Sequence, residues 1–187
     1  MIACIVIAGG ARTQLLDDVV LPSVIPQEFT EVVVVGEHHA HADYRYVAVP
    51  ALAYSTLDAL VKRDVGALVT KSDALIYLSD DHRLGADFRA QLMKLLAHKW
   101  DVLVPHRYVW RGDEKVRLNN GERDGYCGGH CGVFRRALVL QRPWTAGPHH
   151  REWDRLMSEC QQDAGAVFVA TPLLEVFDIE PGATPWL

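Results

Sequence analysis

No apolar run in the chain reaches the roughly 18 residues that a membrane-spanning helix needs, so no spanning helix is expected. Cysteine is scarce. Cys4, Cys127, Cys131 and Cys160 are scattered, and Cys4 lies inside an apolar, strand-like run. That usage argues against a disulfide framework and for reduced thiols, as in a cytosolic protein. Positive charge is not in excess either: the net charge of -5 argues against a surface built for phosphate backbones, while leaving room for a local basic groove. Met1 to Gly10 has no basic stretch before its apolar residues and does not read as a signal peptide, so a cytoplasmic location is expected. There is no internal repeat and no low-complexity tract.

What is present is the material of one globular α/β domain. The chain has 187 residues, 49% of them hydrophobic, enough for a real core and short for two domains. Strand-like apolar runs alternate with helical patterns. Residues 4–8 read as a buried strand, and residues 15–25 as a helix interrupted by Pro22 and closed by Pro26. Glu31-Val32-Val33-Val34-Val35-Gly36 is the clearest strand, with four β-branched residues before a glycine. Residues 44–49 read as a short strand, 56–70 as a helix capped by Ser55 or Thr56, 74–78 as a strand, 88–97 as an amphipathic helix and 101–104 as a strand. Residues 106–126 are polar and read as a mobile or partly hairpin-like insertion. Residues 128–140 follow as strand then helix, 152–164 as a helix and 166–170 as a strand, before an irregular tail from 177 to 187. Such alternation predicts an α/β/α sandwich around a mainly parallel sheet.

The most informative stretch is Ile76-Tyr77-Leu78-Ser79-Asp80-Asp81-His82, an apolar strand ending in two adjacent carboxylates. Open α/β sheets bind ligands at the carboxyl ends of their strands. Adjacent carboxylates repel, so a cation or hydrogen-bond donors must offset them. A divalent ion carrying a nucleotide diphosphate would do so, and oxygen ligands suit Mg²⁺ or Mn²⁺. The alternative is that the pair is merely solvated or caps a helix. The metal reading carries a condition: an Asp81 turned away from the cleft, or tied into an internal ion pair, leaves that chemistry no place.

Tyr77-Leu78-Ser79-Asp80-Asp81-His82-Arg83-Leu84-Gly85-Ala86-Asp87-Phe88 resembles the DXD segment of GT-A fold glycosyltransferases in its family-two style. The resemblance implies Asp81 as the metal ligand and Asp80 as the acid facing the ribose, with Ser79 standing where many members carry a further Asp. Ile5-Val6-Ile7-Ala8-Gly9-Gly10 resembles the first strand, whose end, Ala8, Gly9 and Gly10, would contact the nucleobase, and Glu37 would accept a base hydrogen bond. Gly128-Gly129-His130-Cys131-Gly132-Val133-Phe134-Arg135-Arg136 is similar to the acceptor-side segment, with Gly129 at the donor. Arg151-Glu152-Trp153-Asp154-Arg155-Leu156, with Gly165 to Pro172 after it, resembles the segment that supplies the catalytic base. Arg151 replaces the first acid there, which leaves Glu152 as base and Asp154 as its rival. Beyond Pro172 the family often adds a third metal ligand; Asp178, ahead of Glu175, stands nearest that place.

The resemblance covers about residues 3–178. It implies a single GT-A-like, Rossmann-like catalytic domain over residues 1–187, with a nucleotide-sugar half about 1–104 and an acceptor half about 105–187. It implies Mn²⁺ or Mg²⁺, a nucleotide-sugar donor with a UDP-sugar as first choice, and an acceptor hydroxyl on a small molecule, glycan, protein or modified DNA base. A carboxylate base implies inversion; without one in reach, retention is open.

Other residues offer weaker sites. His38, His39 and His41 suit a transition metal, Cys127, His130 and Cys131 a zinc ion, and His149 and His150 the acceptor or diphosphate. Arg107, Arg111, Lys115 and Arg117 either fold over a diphosphate or stay solvated. Trp144 and Trp153 either stack on a sugar or pack. Two further functions compete. Ile7-Ala8-Gly9-Gly10-Ala11-Arg12 resembles the opening of sugar-phosphate or cofactor nucleotidyltransferases, although no lysine follows on the helix. A non-catalytic nucleotide-sugar or nucleic-acid binding domain would account for Ser79 and Arg151 in place of acids.

Overall fold

The computed structural model describes residues 1–9, 12–38, 40–52, 55–118, 132–146 and 165–179. Strand β1 (Ile2–Gly9) is followed by a helical path of four short pieces: α1 (Thr13–Leu15), a π-helical turn (Leu16–Val20), α2 (Leu21–Val24) and a 3-10 turn (Ile25–Gln27). Then come β2 (Glu31–Glu37), β3 (Arg45–Ala48), α3 (Ser55–Val69), β4 (Ala74–Ser79), β5 (His82–Leu84) and α4 (Phe88–Leu95). The chain continues through β6 (Val102–Arg111), β7 (Glu114–Arg117), β8 (Val133–Arg135), α5 (Arg136–Gln141) and β9 (Phe168–Asp178).

The nine strands among the described residues form one sheet in the order β3-β2-β1-β4-β8-β6-β9-β5, with β7 beside β6. β3, β2, β1 and β4 run parallel, as do β6 and β9, while β8 lies antiparallel between β4 and β6. β1 is buried along its length up to Ala8, because helices cover both of its faces. Its residues Ile2, Cys4, Val6 and Ala8 pack with Leu16, Val20, Leu21 and Val24 of the first helical path and with Phe88 and Leu92 of α4. Ala3, Ile5 and Ile7 face the opposite layer, with Leu60 and Ala67 of α3, Leu138 and Val139 of α5, and Trp144. The period of two along the strand thus feeds two cores, and the layers are those expected from the alternating pattern.

The departures from expectation have local causes. Pro22 does not interrupt the helix. A π turn precedes it and Pro22 sits in the first turn of α2, where a missing N–H costs little. The helix expected from residue 56 begins at Ser55. In the polar stretch after Pro105 the hairpin reading holds: β6 runs on to Arg111 and turns back through Gly112 into β7. β9 extends beyond residue 170 to Asp178, taking in the first residues of the supposed tail. Residues 119–126, the helix expected over 152–164 and residues 180–187 lie outside the described residues. No helix among the described residues is long and apolar enough to cross a membrane.

Gly36 shows how tightly the carboxyl ends of β1 and β2 are drawn together. Its φ is 134°, and a β-carbon there would lie 2.1 Å from the Ala8 carbonyl oxygen. Gly36→Ala is therefore expected to lower the unfolding free energy by about 2 kcal/mol or more, read as a lower urea midpoint. An unchanged midpoint would mean that these strand ends are free to separate.

Candidate functional site at the carboxyl edge of the sheet

β1 and β4 are parallel neighbours, with Ile7 opposite Ser79, so both deliver their next residues to the same edge. There the Gly9 N–H donates to Asp80 Oδ2 at 2.7 Å. A β-carbon on Gly9 would come within 3.0 Å of that oxygen, so the backbone approaches the acid closely because the residue is glycine. Arg12, just past β1, reaches back over both acids. Its Nη1 lies 3.5 Å from Asp80 Oδ1 and 2.5 Å from Asp81 Oδ2.

The network continues into the second half of the sheet. Asp81 Oδ1 meets His82 Nδ1 at 2.5 Å, and His82 Nε2 meets Asp178 Oδ1 at 3.1 Å. Antiparallel pairing of β5 with β9 sets His82 directly opposite Asp178. Arg107, on β6, then grips Asp178 with two nitrogens, Nε at 3.1 Å and Nη2 at 2.5 Å. The register of β6 against β9 jumps between Pro105, opposite Thr171, and His106, opposite Glu175. That irregularity advances β9 and brings Asp178 into reach of Arg107.

Ionisation follows from these contacts. Burial pushes the Asp80 carboxyl up, with the neighbouring Asp81 adding to the shift, against the pull of the Gly9 N–H and Arg12. Burial also opposes charge on Asp81, but the hydrogen bonds and charges of His82 and Arg12 outweigh it and hold Asp81 well below the usual carboxylate range. Asp178 is held low against burial by His82 and Arg107. Burial disfavours the imidazolium of His82, yet its hydrogen bonds to Asp178 and Asp81 win and raise its pKa.

Of the residues expected at the site, Ala8, Gly9, Asp80, Asp81 and Asp178 are brought to this edge. Ala8 acts through its carbonyl, which accepts from Lys62 Nζ at 3.0 Å. Glu37 is at the rim, and its Oε1 accepts from the Ala51 N–H at 3.2 Å. Gly10, Gly129, Glu152 and Asp154 lie outside the described residues, as do His39, Cys127, His130, Cys131, His149, His150 and Trp153. Glu175 is held elsewhere, by Lys115 of the hairpin at 2.6 Å, and Arg117 turns to His106. His38 faces Asp17 and stacks on Tyr44, while His41 faces Asp43, so neither offers a shared metal site. Trp144 is core, set edge-to-face against Tyr77 and Phe134, and cannot stack on a sugar.

Sequence reading missed Lys62, His82 and Arg12 as members of this edge. Lys62 is wholly buried and also pairs with Asp58 Oδ2 at 2.6 Å. Its only sequence signal is an acid four residues earlier on an otherwise apolar helical face. Arg12 and His82 each stand inside a motif read from the sequence, which gives no indication of where their side chains reach.

A divalent ion does not fit these side chains as arranged. Both oxygens of Asp81 and both of Asp178 are engaged by guanidinium or imidazole, and both nitrogens of His82 point at carboxylates. Among the described residues no three His, Cys, Asp or Glu side chains converge as a metal cluster. The condition set on the metal reading, an Asp81 free of internal ion pairs, is not met.

No family model and no characterised protein matches the chain at the level of sequence. Solved structures do match its shape. TarS 1-349 of S. aureus in complex with UDP-GlcNAc superposes with a TM-score of 0.70 at 14% identity, over 98% of this chain and 60% of its own. GalNAc-T7 with UDP, GalNAc and Mn²⁺ gives 0.69 at 14% identity, over 99% and 46%. The mannosyltransferase PcManGT from Pyrobaculum calidifontis, in complex with GDP-Man and Mn²⁺, gives 0.68 at 14% identity, over 98% and 58%. The fold is the GT-A fold. The chain spans 60% or less of the length of these three structures.

The raised pKa of His82 has a sign that can be checked. A group titrating above its ordinary 6.5 in the folded state stabilises fully below that value, and the benefit is lost as pH rises through the raised one. Asp81 and Asp178, held low, stabilise fully above the ordinary carboxylate range and lose that benefit as pH falls through their depressed values. The urea midpoint of the wild type should therefore fall as pH rises above about 6.5, and His82→Gln should flatten that decline. An equally steep decline in the variant would remove His82 as its source.

Proposed function

We propose that this chain carries the catalytic core of a glycosyltransferase that moves a sugar from a nucleotide-diphosphate donor to an acceptor hydroxyl. The observation that carries the reading is the acid pair at the carboxyl edge of a GT-A sheet, with Asp80 taking the β1 amide and an arginine poised over both acids. Ligands of open α/β sheets gather at that edge, and glycosyl transfer has two chemical needs.

The first need is a neutralised leaving diphosphate. Arg12 is half-exposed and presents a planar donor fork suited to phosphate oxygens. Asp80, beside the backbone of Gly9, is suited to accept from ribose hydroxyls, as the resemblance implies. The second need is a base for the acceptor hydroxyl. Glu152 is proposed for it, with Asp154 as its rival, at a typical contribution of ~10²–10⁴-fold. A single displacement with inversion follows from that assignment. A UDP- or GDP-sugar is the proposed donor class, and residues 1–104 and 105–187 are proposed as donor and acceptor halves of one domain. The acceptor is proposed only as a hydroxyl-bearing molecule.

Arg12 also favours a second reading, nucleotidyl transfer onto a sugar phosphate or cofactor precursor. An arginine just after the first strand, aimed at the acid pair, would serve a triphosphate equally well. Release of pyrophosphate from a nucleoside triphosphate would select that reading.

Thermal-shift screening of UDP-, GDP-, CMP- and dTDP-sugars tests the donor assignment through mass action. One nucleotide series should raise the melting temperature and the others should not. Glu152→Ala is expected to keep that shift and to reduce transfer by about 10²-fold or more. Full turnover in the variant would move the base to Asp154 or discard inversion.

A further inference from the structure

The acid pair already has a cation. Arg12 spans Asp80 and Asp81 from one nitrogen, and the two carboxylates it touches are the ones a divalent ion would need. The remaining charges are also matched. Asp178 holds Arg107 in two contacts, and His82 joins Asp81 to Asp178. Each oxygen of Asp81 is thus already engaged, one by Arg12 and one by His82, so an added divalent ion must displace a partner and meets the guanidinium charge. Repulsion at such short range, between partly buried groups, is only weakly screened.

The two arginines differ in their freedom to leave. Arg107 has 12% of its side chain exposed and grips Asp178 through two nitrogens. Arg12 has 50% exposed and uses a single nitrogen for both acids. Water or a phosphate oxygen can take over the hydrogen bonds of the half-exposed Arg12, while the Arg107 guanidinium is itself largely buried.

We infer that Arg12 is a built-in counter-ion that competes with divalent cations for Asp81 and thereby sets the metal affinity of the site. The inference rests on reading this edge as the donor site in one respect: an incoming diphosphate gives the guanidinium a second anionic partner and draws it off Asp81. In the ligand-free protein the arginine stays, and a divalent ion binds poorly. Arg12 is thus a positioning and specificity residue, acting through the charge it places on the acid pair.

The test is a titration of nucleotide-free protein with Mn²⁺ alone, followed by the paramagnetic resonance signal of the free ion. Arg12→Gln should bind Mn²⁺ about tenfold more tightly than the wild type, the lower end of what a charge-assisted hydrogen bond is worth. Arg12→Lys keeps a cation and should stay near the wild-type affinity. Adding Asp81→Asn to Arg12→Gln should abolish the gain. Circular dichroism checks that each variant is folded, and the lysine variant carries the comparison if the glutamine variant is not. In that event Mn²⁺ bound to Arg12→Lys as tightly as the predicted tenfold gain would overturn the inference. Equal or weaker binding by a folded Arg12→Gln, or a gain that survives Asp81→Asn, would also overturn it. Repeating the titration with UDP or GDP separates this from the function: a nucleotide that binds no variant counts against glycosyl transfer and leaves the nucleotide-free result standing.

Discussion

Charge compensation at one sheet edge is the constraint on which the functional half of this molecule depends. Asp80 and Asp81 follow one another at the end of β4, where burial and mutual repulsion both oppose ionisation. They are tolerable because a chain of partners runs from the Gly9 amide and Arg12 through His82 to Asp178 and Arg107. The chain links β1, β4, β5, β6 and β9, so both halves of the sheet meet in it. Removing any one partner would leave a partly buried charge uncompensated, which costs more than the pair itself contributes.

The same network explains why a GT-A fold goes with no metal cluster among the described residues. The fold specifies where acids arrive, at the carboxyl ends of parallel strands. It does not specify what neutralises them. Structures of similar shape were solved with Mn²⁺ in place. In this chain guanidinium and imidazole groups engage the carboxylate oxygens of Asp81 and Asp178, and the chemistry of the edge follows from its own side chains.

Much of the fold was legible in local patterns. The four valines before Gly36, the apolar run before Asp80 and the helical spacing in α3 each specify an element by side-chain period alone. Elements whose pairing is irregular were legible only in part. The second halves of β6 and β9 carry polar residues, Pro172 and a register jump, so neither shows an unbroken strand pattern. Lys62 was hidden for a related reason. A lysine on an apolar helix face reads as an error until the Ala8 carbonyl and Asp58 are found around it.

By itself the sequence determined that strands alternate with helices, that the sheet is mainly parallel and that two acids end a buried strand. These properties depend on neighbours within a few residues, where period, burial and turn chemistry act directly. Only the tertiary structure decided that Arg12 covers those acids, that His82 stands opposite Asp178, and that Glu175 is drawn off by Lys115 while Asp178 is not. Those outcomes depend on strand order and register across the sheet, which set side-chain distances between residues about 60 to 100 positions apart and which no local pattern encodes.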